Sequence, residues 1–157
     1  MKVRTQNAEC RTRNGGAPFC IRHFAFCILL AACSPATTRP PFEPFPQAQV
    51  VVVRGAPERV TAEAGAWLAG EGVPVAFASG RDGFLETGRH QGIRLRLWAN
   101  PAAPGTTRVI VEAVHRPVED PSRTARDLEV PVPRGHDGYR LAERLLGALS
   151  DRFGVAP

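Results

Sequence analysis

The chain has 157 residues and a formal net charge of +5, but the charge is concentrated at the N-terminus. Residues 1–32 carry five cations against one anion, whereas 15 arginines face 14 acidic residues from Cys33 onward. The body of the chain is therefore close to neutral, so its charge does not imply a nucleic-acid partner. All four cysteines lie within the first 33 residues, and the remainder is long enough for one small domain without disulfides.

An uncharged apolar segment, residues 24–32, follows the basic N-terminal region. Nine residues are too few to cross a bilayer as a helix, which needs about 20. A positive stretch, a short apolar core and small residues at its end are instead typical of a secretory signal. Residues 1–32 are therefore predicted to be a signal peptide.

The signal segment ends in Leu30-Ala31-Ala32-Cys33, which resembles the lipobox of bacterial lipoproteins. The resemblance implies that Cys33 is lipidated and becomes the first mature residue, so that its acyl chains anchor the protein in the membrane. By the same resemblance, Ser34 favours the periplasmic face of the outer membrane. The alternative for Cys33 is a buried structural cysteine.

Residues 33–47 are predicted to form the lipidated cysteine and a proline-rich tether. Residues 35–46 contain five prolines and no helical or alternating pattern, which indicates a semi-extended spacer. Twelve residues in polyproline II geometry reach on the order of 35 to 40 Å. The alternative is a PxxP peptide ligand with Phe42 and Phe45 as anchors.

Residues 48–157 are predicted to form a single α+β domain. Four valines at 50–53 indicate a strand buried on both faces. Pro57 then starts a helix that ends near Gly70, and residues 73–77 form the next strand. An Asp-Gly turn at 82–83 leads into a strand over 84–87.

Two longer strands follow, over 93–98 and 106–115, and their alternating pattern predicts an antiparallel meander. Residues 116–127 are loop-like, 128–132 form at best an edge strand because two prolines interrupt it, and a last helix runs from a capping Asp137 to Phe153. The predicted architecture is an antiparallel sheet of four to six strands with two helices packed on one face, in the order β-α-β-β-β-β-(β)-α.

This order, with a Gly-Val-Pro-Val segment at 72–75 and a Gly-Phe-Leu-Glu-Thr segment at 83–87, resembles the helix-grip domains of BamC-type lipoproteins. These are accessory subunits of the outer-membrane barrel-assembly machinery. The resemblance covers roughly residues 48–153 and implies a helix-grip fold behind a lipidated, extended tail. It also implies an envelope protein as partner, although a fold by itself does not define a function.

The sequence contains no recognisable catalytic or metal-binding motif. His90, His115 and His136 are not accompanied by a nucleophile in a known pattern, and Glu112 lies three residues before His115 on a strand, where a ligand pair needs a helix. The cysteines lack the C-x2-C spacing of a zinc site. We therefore predict that the protein is not an enzyme and uses no metal and no cofactor.

Arg94, Arg96 and Trp98 are the candidate partner-binding residues because they share one face of a predicted strand. The alternatives are a solvated face with Glu112 as cross-strand partner and, for Trp98, a cover over the edge of the core. The predicted function is a membrane-anchored periplasmic lipoprotein, non-catalytic, that binds a protein or lipid partner in envelope assembly or maintenance. The alternative function is a small periplasmic enzyme or small-ligand carrier that uses a groove around the C-terminal helix.

Overall fold

The structure is a computed structural model that describes residues 37–157. The predicted signal peptide and Cys33 lie outside the described residues. The elements are β1 (Gln49–Arg54), α1 (Pro57–Gly70), β2 (Val75–Ser79), β3 (Phe84–Thr87), β4 (Ile93–Pro101), β5 (Thr106–His115), α2 (Ala125–Leu128), β6 (Val130–Pro131) and α3 (Asp137–Phe153). Within residues 37–157, no helix is both long and apolar enough to cross a membrane.

The strands form one six-stranded antiparallel sheet in the order β1-β5-β4-β3-β2. β5 pairs with β1 along its first part, up to Val111 opposite Gln49. Its last two residues pair with the short β6, which lies beyond the start of β1. The predicted α+β class, with its antiparallel sheet, is confirmed.

The two long helices, α1 and α3, pack on one face of the sheet, which we call the helix face. Strand alternation directs alternate residues of β4 and β5 toward the helices. The resulting core is aliphatic, and its buried members include Val53, Val60, Leu68, Leu85, Leu95, Leu97, Val109, Val111, Leu145 and Leu149. Burying each such side chain contributes roughly 1.5 to 3 kcal/mol, so this face supplies the main hydrophobic stabilisation of the domain.

The residues after α3 cover the free edge of β1. The Arg54 N–H donates to the Gly154 carbonyl at 3.1 Å, and the Ala156 N–H donates to the Val52 carbonyl at 2.9 Å. Val155, between them, forms an isolated antiparallel bridge with β1. Because these bonds occupy backbone groups that an edge strand would expose, β1 is protected from pairing with another chain.

Two details at the ends of elements differ from the sequence prediction. β1 is not buried on both faces, since Val50 is 47% exposed. α3 is capped by His136, whose Nδ1 accepts a hydrogen bond from the Gly138 N–H at 3.1 Å. Asp137, the predicted cap, lies instead in the first turn of the helix.

The segment after β5 contains a one-turn helix where the sequence pattern predicts a loop. The Thr124 hydroxyl caps α2 by accepting a hydrogen bond from the Asp127 N–H at 3.3 Å. The predicted edge strand shrinks to the two residues of β6, because the prolines at 131 and 133 limit its ladder. The segment around α2 matters because Arg126 and Glu129 contact Arg96 and Glu112 on the face of the sheet opposite the long helices.

Candidate functional site

The second face of the sheet carries charged and aromatic residues. Arg94, Arg96 and Trp98 of β4 alternate with the core residues and so point to this face. Arg96 lies opposite Glu86 of β3 and Glu112 of β5. The structure thus places the three predicted residues on one face, which we call the strap face.

The strap face is not solvated, contrary to one interpretation of the sequence. Arg96 is only 3% exposed and Trp98 only 4% exposed, while the Arg94 side chain keeps about a quarter of its surface in water. The cause is non-local, because the N-terminal residues 37–46 and the segment from α2 to Glu129 lie over this face. We call residues 37–46 the strap.

The middle of the strap contacts the arginines of this face through its two phenylalanines. The Phe42 ring centre lies 5.0 Å from the Arg96 guanidinium and 4.3 Å from that of Arg126. The Phe45 ring centre lies 3.8 Å from the Arg126 guanidinium. The backbone N–H of Phe45 donates to Glu112 Oε2 at 2.9 Å. These cation–π contacts hold residues 37–46 on the sheet, so the described part of the predicted tether is not a free spacer.

The start of the strap is attached to the turn between β2 and β3. The Thr38 N–H donates to Asp82 Oδ2 at 2.8 Å, and its hydroxyl donates to the same oxygen. Arg39 Nη2 donates to the Gly83 carbonyl at 3.2 Å and to the Ala99 carbonyl at 3.1 Å. Gly83 has a φ of 58°, and a Cβ there would lie 2.2 Å from the Ala99 oxygen, so only glycine fits this turn.

Asp82 is the charged centre of this attachment. Arg81 Nε lies 3.2 Å from Asp82 Oδ1. Hydrogen bonds from the side chain of Arg81, and then from Thr38, hold the pKa of Asp82 well below its usual range. The carboxylate therefore stays ionised and keeps accepting hydrogen bonds from the strap down to acidic pH.

Beneath the strap, Arg96 is the centre of a buried ion network. Its Nη1 lies 2.7 Å from Glu129 Oε2 and 3.1 Å from Glu112 Oε1, and its Nη2 donates to Glu129 Oε1 at 2.8 Å. Arg126 Nη1 supplies a further bond of 2.8 Å to Glu112 Oε1. Burial disfavours the charged form of Arg96, but the hydrogen bonds of Glu129 and Glu112 outweigh it and raise the pKa of Arg96.

The ion network can hold the side chains of this face in fixed positions, but its groups are not placed for proton transfer. Glu112 and Glu129 are 2% and 6% exposed, and guanidinium groups bind both of them. A general base must reach the proton that it abstracts from the substrate. The two glutamates do not meet this condition, because both are buried and their oxygens are bonded to arginines and, in Glu112, to the Phe45 N–H.

The sequence pattern pairs Arg96 with Glu112 but does not reveal the roles of Glu129 and Arg126. Glu129 lies in a Leu-Glu-Val-Pro-Val segment whose pattern predicts only a weak strand. A lone acid within such an apolar segment is a signal for a buried ion pair, because charged residues are rarely buried without a partner. The sequence pattern presents Phe42 and Phe45 as anchors for another protein and does not reveal that they contact arginines of this domain.

The groove that the alternative function requires is small in this structure. A cavity of about 160 Å³ lies between the start of α3 and the β3–β4 loop, with His90 in its wall. Arg144 Nη1 donates to Glu71 Oε2 at 2.7 Å on one side, and a Cβ on Gly138 would lie 2.8 Å from Ile93 Cγ2. Ligand pockets usually measure about 300 to 1,000 Å³, so the close packing of α3 on β4 leaves little room for a carried molecule.

The other two histidines of residues 37–157 lie near the same helix. The rings of His115 and His136 stack with their centres 6.4 Å apart, and His136 also caps α3. Among residues 37–157, no group of three or more His, Cys, Asp or Glu side chains is arranged to hold a metal ion. The histidines thus have structural partners in this structure.

No protein-family model, no characterised protein and no solved structure matches the chain. The resemblance to BamC-type lipoproteins stays a prediction.

Proposed function

We propose that this protein is a membrane-anchored periplasmic lipoprotein of the outer membrane. It binds a protein or lipid partner in envelope assembly or maintenance and carries out no catalysis. One observation carries the proposal. The lipobox-like motif ends at Cys33, and from Thr38 onward the N-terminal segment is hydrogen-bonded to the folded domain. An acyl anchor at this cysteine would therefore act directly on a folded domain.

The electrostatics of the strap face support binding over catalysis. Its arginines and glutamates neutralise one another under the strap, and a network of this kind gives a face a defined shape. The small cavity beside α3 weighs against the alternative of a ligand carrier. These features best support a binding function, in which the neutral ion network holds the surface of the strap face in a fixed conformation.

The candidate partner-binding residues differ in how a partner would reach them. Arg94 is partly exposed at the rim of the strap face, whereas Arg96 and Trp98 lie behind the strap. An open groove of about 490 Å³ between the strap and the sheet has Trp98 in its wall. A partner would therefore bind at Arg94 and along this groove, and would reach Arg96 only where the strap is displaced.

The lipid anchor is tested by intact mass and membrane fractionation of the full chain expressed in a didermic bacterium. The wild type is compared with Cys33→Ala, and Cys27→Ala serves as a matched control within the signal segment. We expect a mature N-terminus at Cys33 with acyl mass in the wild type and the control, lost in Cys33→Ala. A soluble, unmodified wild-type chain that retains residues 1–32 would contradict the anchor and the location together.

Partner binding is tested in the same cells with a photo-crosslinking amino acid at Arg94, and with Arg140 on the exposed side of α3 as the matched position. We expect a discrete crosslinked envelope protein or lipid at position 94 that is absent at position 140. The BamC-type resemblance makes barrel-assembly subunits the first proteins to look for. Identical crosslinks at both positions, or none at position 94, would argue against this face as the binding surface.

A further inference from the structure

We infer that one end of the sheet lies against the membrane and that its occupant is an anionic lipid surface. This end, which we call the turn end, consists of the β2–β3 turn (80–83), the last residue of β4 with the β4–β5 loop (101–105) and the end of β1. The inference rests on the proposed function, because it uses a lipid anchor at Cys33.

The strap fixes where the chain from the anchor meets the domain. Thr38 is bonded to Asp82 in the β2–β3 turn, and Arg39 is bonded to the carbonyl of Ala99 at the end of β4. Only four residues lie between Cys33 and Thr38, so five residue steps of at most about 3.6 Å each join the two. The anchor therefore lies within about 18 Å of the turn end, about half the reach expected of a free spacer.

The parts of the turn end are neighbours because the sheet brings them together. The Ala99 N–H donates to the Gly83 carbonyl at 2.8 Å, which joins β4 to the β2–β3 turn. The Gly55 N–H donates to the Gly105 carbonyl at 2.8 Å, which joins the residues after β1 to the β4–β5 loop. A surface that meets one of these loops therefore meets all of them.

The chemistry of this end suits a lipid headgroup region. The loop at 101–105, Pro-Ala-Ala-Pro-Gly, is uncharged and exposed along its whole length. Arg54 and Arg108 are exposed around it, while Arg81 and Asp82 form an ion pair and neutralise each other. The exposed acid Glu58 also lies at this end, but the arginines outnumber it, and each cation near an anionic surface adds to membrane affinity.

The test measures which end of the lipidated protein is near the bilayer. The full chain is expressed in a didermic bacterium as Ala103→Cys, in the β4–β5 loop, or as Arg134→Cys, in the loop after β6 at the opposite end. In the processed protein, the introduced cysteine is the only free thiol, since Cys33 is acylated. It is labelled with an environment-sensitive fluorophore, and the protein is placed in vesicles of phosphatidylethanolamine and phosphatidylglycerol that contain a headgroup quencher.

We expect several-fold stronger quenching at position 103 than at position 134. Arg39→Ala, which removes the bonds from the strap to Gly83 and Ala99, should reduce this difference without changing the acyl mass. Equal quenching at both positions, or stronger quenching at 134, in protein with verified acyl mass would overturn the orientation and leave the proposed function standing. Absence of acyl mass at Cys33 would overturn the proposed function and this inference with it.

Discussion

The two faces of the sheet are removed from water in different ways. The helix face is covered by α1 and α3 through aliphatic side chains, whereas the strap face is covered by the irregular strap and the one-turn helix α2 through charged and aromatic side chains. Apolar burial is favourable roughly in proportion to area and tolerates imprecise geometry. A buried ion network does not, because its desolvation cost is offset only when every partner is in place. The two faces should therefore respond differently to substitution.

The largest effect is expected for the centre of the ion network. Arg96→Met leaves Glu129 buried without its main partner and Glu112 with Arg126 alone, so the free energy of unfolding should fall by about 3 to 5 kcal/mol. Urea denaturation of the wild type and the variant measures this. The triple variant Arg96→Met, Glu112→Leu, Glu129→Leu should recover most of the loss, because no unpaired buried carboxylate remains, and Arg126, which is partly exposed, keeps its bond to the Glu43 carbonyl. A triple variant as unstable as the single one would show that unpaired buried charge is not the cause.

On the helix face, truncation of a core side chain should lower the stability of the domain, and removing a neighbouring residue should not restore it. Leu145 is fully buried, so Leu145→Ala should lower the free energy of unfolding by about 2 to 5 kcal/mol through lost transfer energy and a cavity. The matched control is Glu143→Ala on the exposed side of the same helix, expected to change stability by less than about 0.5 kcal/mol. Comparable losses in both variants would mean that α3 is not held by its apolar face.

A smaller effect is expected within the strap. Phe45→Ala removes the ring over Arg126, a contact that contributes about 1 to 2 kcal/mol when partly desolvated. Amide hydrogen exchange should become faster in residues 37–48 while exchange in β4 and β5 is unchanged. Phe77→Ala, at a half-exposed phenylalanine of the edge strand β2, is the control and should leave strap exchange as in the wild type. Uniformly faster exchange would show that strap and core unfold as one unit.

The smallest effect concerns pH. Because the pKa of Asp82 is lowered in the folded protein, its ionised form stabilises the strap, and this contribution is complete above the ordinary carboxyl pKa of about 3.9. It is lost as the pH falls below that value. The stability difference between wild type and Asp82→Asn should therefore be constant from neutral pH to about 5 and shrink below about 4. A difference that already changes between pH 7 and 5 would contradict the assignment to Asp82.

The helix face could be predicted from the sequence because its residues carry local signals. Val60, Ala64 and Leu68 recur at helical spacing, and the boundaries of α1, β3, β5 and α3 follow from periodicity, glycine turns and Pro57. These signals are local in the chain, so tertiary contacts only confirm them.

The strap face could be predicted only in part. Alternation places Arg94, Arg96 and Trp98 together, but whether a strand face is wet or covered depends on segments elsewhere. The bonds that decide it join Thr38 to Asp82 and Arg126 to the carbonyl of Glu43, across separations of 44 and 83 residues. A proline-rich segment has no period that indicates its docking site, so composition alone favours a spacer.

The residues after α3 affect the tendency of the domain to aggregate. They occupy the outer backbone groups of β1 through Arg54 and Val52, yet they form no strand of their own beyond one bridge. A chain shortened to end at Phe153 would keep every named helix and strand but leave the Arg54 N–H and the Val52 carbonyl of β1 without these partners. Unpaired strand edges can pair with strands of other molecules. Residues 154–157 therefore reduce the tendency of the domain to aggregate through β1.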